Sequence, residues 1–152
     1  MQALVQTVGV HPSAVLTSYW AIVEEEAVKP EVIVYICTTQ SEKLTPILRR
    51  ATAEISQHVF GFTPKTVCRK VNEARVLETV MNIKMLILNY KEKGYNVYVD
   101  ITPSRKTLSA SALKAAIEAK ADGIYYLLLK NPQYIGEIYP YIPRHQLKLV
   151  KI

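Results

Sequence analysis

Val32-Ile-Val-Tyr-Ile-Cys37 is an unbroken run of six β-type residues without a charged or amide side chain. A strand of that composition is buried on both faces, the situation of a parallel sheet covered by helices on either side. That stretch restricts the chain to the α/β class, and its neighbours fit. Residues 3–8 read as a first strand. Residues 14–27 read as a helix with Val15, Leu16, Tyr19, Trp20 and Val23 on one face, stopped by Pro30. A second helix, 41–57, carries Leu44, Ile47, Leu48, Ala51 and Ile55 inward and opens on a Thr39–Glu42 capping box.

Residues 63–71 form a weaker strand. A long helix, 73–93, has Val76, Leu77, Val80, Ile83, Ile87 and Leu88 as its apolar stripe and Gly94 as its stop. A strand at 95–101 leads to a helix at 107–121. There Leu108, Ala112, Leu113, Ala116 and Ile117 recur at helical spacing, with Gly123 as the stop. Residues 124–129 are again strand-like. Residues 131–145 hold Pro132, Pro140 and Pro143 with Tyr134, Ile138, Tyr139 and Tyr141 as anchors, and read as an ordered extension. Leu147 and Leu149 alternate with Lys148 in a terminal edge strand, 146–152, antiparallel to the rest. The expectation is a single domain over 1–152: a Rossmann-like, doubly wound, mostly parallel sheet with flanking helices and a C-terminal edge strand.

The 152 residues, 49% hydrophobic and 21% charged, suit a globular protein with a real core. No apolar run approaches a membrane span. With no signal-peptide pattern at the start, a cytoplasmic location without membrane association is expected. The net charge of +6 is uneven: residues 1–60 carry four basic side chains against six acidic ones, so the remainder holds all of the excess. An anionic partner or a solvated basic surface both account for this. Cys37 and Cys68 have no metal-ligand spacing, and Cys37 reads as buried packing.

The chemistry concentrates in Asp100-Ile-Thr102-Pro103-Ser104-Arg105-Lys106, between a strand and a helix. Such turns lie at the carboxyl ends of the strands, where open sheets bind ligands. A helix start offers unpaired N–H groups and partial positive charge, and Arg105 and Lys106 complete a phosphate seat. Helix capping by Thr102 or Ser104 is the plainer alternative. Right-handed crossovers put the turns at 9–13, 38–42 and 102–107 on one edge, so three polar helix starts face one crevice.

Three segments resemble one family, the CARF domains, which are CRISPR-associated Rossmann-fold sensors. Thr7-Val-Gly9-Val-His11-Pro-Ser13-Ala-Val-Leu16 resembles their first-turn motif, and Thr38-Thr39 fits the paired threonines after a buried strand. Asp100-Ile-Thr102-Pro-Ser-Arg105-Lys106 resembles the Asp-x-Ser/Thr-x-x-x-Lys/Arg signature, with Pro103-Ser104 where many members have Gly-Gly. The matches fall in order over most of residues 1–130. The resemblance implies a homodimer that binds a cyclic oligoadenylate of four or six adenylates across its twofold axis. No ribonuclease Arg–His pair stands at the family's spacing. Read as a lone sensor domain, the chain is expected to degrade its ligand, as standalone ring nucleases do, or to pass the signal by contact.

Ring cleavage of this kind needs no metal or other cofactor, because the substrate's own 2′-hydroxyl is a nucleophile that leaves a 2′,3′-cyclic phosphate. Lys106 is the candidate for stabilising charge on the scissile phosphate, and Ser13 for orienting the 2′-hydroxyl or donating to a phosphate oxygen. Gly9, His11, Thr38, Thr39, Gln40, Thr102, Pro103, Ser104 and Arg105 are the candidate ligand-binding residues. His11 is also a candidate general base. Tyr134, Tyr139 and Tyr141 are candidates for a lid stacking on bases or for plain packing. The expected reaction is cleavage of cyclic tetra-adenylate that switches off type III CRISPR signalling. A non-catalytic sensor or sink for the same ligand stays open, as does a basic nucleic-acid-binding regulator. Stable DNA binding is not expected.

Overall fold

The computed structural model describes residues 1–152. The elements are β1 (Gln2–Thr7), α1 (Pro12–Glu26), β2 (Val32–Cys37), α2 (Thr45–Ile55), β3 (Lys65–Lys70), α3 (Val76–Glu92), β4 (Asn96–Asp100), α4 (Lys106–Glu118), β5 (Gly123–Leu129) and β6 (Leu147–Lys151). The sheet order is β3-β2-β1-β4-β5-β6. The first five strands are parallel, and β6 pairs antiparallel to β5 from Tyr125↔Lys151 to Leu129↔Leu147. The fold is the expected Rossmann-like α/β arrangement with an antiparallel edge strand. No helix is long and apolar enough to cross a membrane.

Alternate residues of each central strand feed two cores. Ala3, Val5, Val34, Val97 and Val99 meet α3 and α4, whereas Leu4, Ile33 and Tyr35 meet α1 and α2. All six residues of β2 are buried, as its composition demands. On α4 the inward positions are small: Ala112, Ala115, Ala116 and Ala119 let the helix lie close to its neighbours. Cys37 is buried packing, 3.2 Å from Cys68 Sγ, and burial pushes its thiol up to about 12.

Several sequence expectations need correction. A 3-10 turn at Glu42–Leu44 precedes α2, and Pro46 sits in its first turn, which rotates the helix. Thr45, Leu48 and Thr52 face inward, and Ile47 is 57% exposed. The inward face is polar for a reason: Thr52 Oγ1 pairs with the Tyr35 hydroxyl at 2.8 Å, and Ser56 Oγ with that of Tyr19 at 2.6 Å. Each buried hydroxyl satisfies another. The Thr39–Glu42 capping box does not form. Instead Thr38 N–H donates to Ser41 Oγ at 2.9 Å and Ser41 N–H to Thr38 Oγ1 at 3.3 Å.

On α3 the inward face is Thr79, Val80, Ile83 and Ile87, while Val76 and Leu77 turn outward. Ile117 of α4 is exposed as well. α1 ends at Ala27, in the left-handed region with φ 54°, before Pro30 is reached. Gly123 is not a helix stop but the first residue of β5, where a Cβ would come within 2.8 Å of the Tyr98 ring. Residues 131–146 form three 3-10 turns that strap the end of β5 to α1. Tyr139 is buried and stacks on Trp20 with centroids 6.1 Å apart, so it packs the strap rather than covering a ligand.

Candidate functional site

Strand order reverses between β1 and β4, which are hydrogen-bonded neighbours. At such a switch point the two following loops diverge and leave a crevice. Here the loops touch. A Cβ on Gly9 would lie 2.1 Å from the Pro103 carbonyl oxygen and 3.2 Å from Ser104 Cα. Gly9 is therefore required by close backbone approach. That contact sets the starts of α1 and α4 side by side.

Neither helix start is capped by a side chain. The N-cap of α1 is His11, with Pro12 beginning the helix, and the N-cap of α4 is Arg105. Pro12 has no N–H and Ala14 N–H donates to the His11 carbonyl at 3.1 Å, so the first-turn donors left without an intrahelical partner are Ser13 N–H of α1 and the first N–H groups of α4. Ser13 is half-buried in the first turn of α1, and Lys106, at the start of α4, is exposed without an acidic partner. The capping alternatives for Thr102 and Ser104 are thereby excluded, and Ser13 caps neither helix. Thr102 Oγ1 accepts from Leu127 N–H at 2.9 Å, and Ser104 Oγ meets Ser109 Oγ at 2.8 Å, so both hydroxyls hold the turn in shape.

Arg105 reaches across the crevice. Its Nη2 donates to Gln40 Oε1 at 2.7 Å and its Nη1 lies 3.3 Å from Glu73 Oε1. Loops after β2, β3 and β4 are thus latched together by one guanidinium. Thr39 and Gln40 are exposed and Thr38 is half-buried beside this latch. The structure accordingly gathers Gly9, His11, Ser13, Thr38, Thr39, Gln40, Thr102, Pro103, Ser104, Arg105 and Lys106 on a single rim.

Beneath the rim lies a polar network that periodicity does not reveal. Asp100 is fully buried. Its Oδ2 accepts from Ser18 Oγ at 2.5 Å and Gln6 Nε2 at 2.8 Å, and its Oδ1 from Thr102 N–H at 2.9 Å. Burial raises its pKa above the ordinary carboxylate value, against the opposing pull of those hydrogen bonds. Gln6 Oε1 is buried without a partner. The network joins β1, α1 and the turn after β4. Gln6 was detectable as an amide inside an otherwise apolar strand. Glu73, in a fourth loop on the same rim, had no motif to mark it.

Two cavities flank the ridge formed by the two helix starts. One, about 510 Å³, is polar and lies toward β3, between Thr38–Gln40 and the segment from Lys70 to Asn82. The other, about 380 Å³, lies toward β5, between α1 and the strap. No cluster of three His, Cys, Asp or Glu side chains forms anywhere in the fold.

No family model and no curated protein matches the sequence. Solved structures do match the fold. Csm6 of Enterococcus italicus, bound to cyclic hexa-2′-fluoro-hexa-dAMP, superposes with a TM-score of 0.63 at 12% identity, over 100% of this chain and 41% of its own. Can2 from Sulfobacillus thermosulfidooxidans, in complex with cyclic tetra-adenylate, gives 0.60 at 12% identity, over 83% of this chain and 32% of its own. A type III CRISPR defence DNA nuclease activated by cyclic oligoadenylate gives 0.56 at 14% identity, over 84% and 19%. The likeness is one of fold, a Rossmann-like α/β arrangement. The chain spans less than half the length of each of these neighbours.

Proposed function

We propose that this chain binds a cyclic oligoadenylate, cyclic tetra-adenylate first, across the facing rims of two copies. The observation that carries the reading is the Gly9–Pro103 contact, which aligns two uncapped helix starts beside the unpaired Lys106. Free N–H groups and an ammonium suit phosphates linked in a small ring. The fold neighbours that hold or respond to cyclic oligoadenylates support the same ligand class. A paired arrangement is supported by the outer face of α3 and α4. Leu77, Met81, Met85 and Ile117 are 78%, 57%, 50% and 57% exposed there. Leu77, Met81 and Met85 recur on one face of α3, whose Glu78 and Asn82 line the polar cavity of the rim. A second copy on that stripe lies next to the ligand.

The reaction we assign is ring opening. The 2′-hydroxyl of one adenylate attacks the adjacent phosphorus, and the bond from phosphorus to the 5′-oxygen breaks. A 2′,3′-cyclic phosphate remains on one end, and the 5′-oxygen leaves with a proton. Ser13 orients the hydroxyl, Lys106 stabilises the developing charge and the helix N–H groups hold the remaining phosphates. A charge-assisted hydrogen bond of roughly 1.5–3 kcal/mol made only in the transition state is worth about ten- to a hundredfold in rate. The outcome is removal of the type III CRISPR signal.

The test is product analysis after mixing the protein with cyclic tetra- and hexa-adenylate in chelator. Linear di-adenylate ending in a cyclic phosphate is expected, with Lys106→Ala retaining binding and losing cleavage. One observation favours a second reading: no carboxylate or imidazole pairs with Ser13 or Lys106 to move a proton. Tight binding with the ring returned intact identifies a sensor or sink.

A further inference from the structure

The cavity beside the strap differs in chemistry from the ridge it adjoins. Its walls are largely apolar and aromatic: residues 126–129 of β5, Tyr134 and Ile135 of the strap, and Ile142 line it beside α1. His11, Ser13 and Thr102 stand on the side shared with the ridge. No lysine or arginine lines it, and its one formal charge is Glu137. A phosphate there meets a carboxylate and neither an ammonium nor a guanidinium. A flat, neutral group carrying hydrogen-bond donors meets the opposite: apolar walls, aromatic rings and an acceptor. Its volume of about 380 Å³ lies at the small end of ligand pockets. That is the scale of a nucleoside rather than of a whole nucleotide ring.

The wall is also fixed in place. Thr17 Oγ1 donates to the Glu137 carbonyl at 3.2 Å, and Tyr139 packs on Trp20. The Arg144 guanidinium lies 4.8 Å from the Tyr139 ring centroid and 3.3 Å from Glu24 Oε2. These fastenings hold the strap against α1, so the pocket exists before anything enters it.

We propose that this strap-walled cavity is a nucleobase subsite, taking a neutral base with an exocyclic amino group. The proposal rests on the reading above for its ligand: with a phosphate over the starts of α1 and α4, adenine turns sideways into the cavity. The subsite, not the phosphate ridge, then distinguishes an adenylate ring from other rings of equal charge. Thr17 and the strap become the residues that set specificity.

Three measurements on the full chain decide it. The first is affinity for cyclic tetra-adenylate against cyclic tetra-uridylate, which has the same phosphates and ring but lacks the amino group. The second repeats this with Ile135→Asp, at a 61% exposed strap position, and with Lys106→Ala. The third maps amide shifts on adding adenosine or uridine, which carry no phosphate. We expect Ile135→Asp to weaken the adenylate ring at least tenfold and the uridylate ring less than twofold, and Lys106→Ala to leave the preference for the adenylate ring over the uridylate ring unchanged. Adenosine shifts Ala14, Thr17, Leu128 and Gly136, and uridine does not. If the rings bind but Ile135→Asp affects them equally or not at all, and adenosine leaves the strap unshifted, the subsite is wrong and the ligand reading stands. If no ring binds but adenosine still shifts the strap, the ligand reading is wrong and the subsite stands. If neither ring nor nucleoside binds, both fall.

Discussion

The two faces of the sheet are finished differently. On the α1 and α2 side, apolar contacts and paired hydroxyls close the surface, and Tyr19, Tyr35, Leu48 and Ile22 are wholly buried. The strap adds a further layer through Trp20 and Tyr139. On the α3 and α4 side the inner stripe is equally well packed, yet a second apolar stripe on the outside is left in water. Contiguous exposed apolar surface marks a place where something else docks. One face therefore serves the fold, and the other serves the fold on its inside and on its outside leaves the stripe on which we propose that a second copy docks.

Matched substitutions on the two faces test this contrast. Leu48→Ala on the closed face removes a fully buried side chain and is expected to lower unfolding free energy by about 2–5 kcal/mol. Denaturant unfolding checks it, and a loss below 1 kcal/mol contradicts the closed-face description. Gly9→Ala forces the loops of β1 and β4 apart and is expected to destabilise by about 1–3 kcal/mol while abolishing ring binding. Calorimetry read beside a binding isotherm separates the two effects. Tyr35→Phe leaves the Thr52 hydroxyl unpaired, at a cost of about 1–3 kcal/mol. Leu77→Ala is expected to stay within about 0.5 kcal/mol in the isolated chain, while Leu77→Lys with Met81→Lys shifts sedimentation from two copies to one. Wild-type protein sedimenting as one copy at every concentration refutes the assembly role of the outer stripe.

The buried carboxyl on the closed face gives a pH test. The pKa of Asp100 is raised on folding, so the folded state binds its proton more tightly than the unfolded chain does. Its contribution to stability is complete below the ordinary carboxylate value and is lost as pH rises through the raised one. Asp100→Asn is expected to flatten that descending part of the stability profile. An unchanged profile means the carboxyl does not carry the effect.

Much of this was legible from residue order. The six buried residues of β2, the stripe Val80–Ile83–Ile87 and the turn from Asp100 to Lys106 each carry their own local signature, and the strand–helix alternation places the turns on one edge. The misassigned inward residues fall on α2, α3 and α4 and have one physical origin. Periodicity identifies which side chains are apolar, but not which are covered. Ile47, Leu77 and Ile117 are indistinguishable in sequence from Leu48, Ile83 and Ala116; only the neighbour decides.

The chain's residue order determined the class of fold, the run of elements and the basic turn, because those depend on short-range backbone preference and on which stretches must leave water. Tertiary structure alone decided that Gly9 meets Pro103, that Arg105 joins three loops, and that Asp100 is buried against Gln6 and Ser18. It also decided that the strap makes a pocket beside the ridge. These are contacts between segments far apart in the chain, and they exist only once close packing has fixed how the elements approach one another.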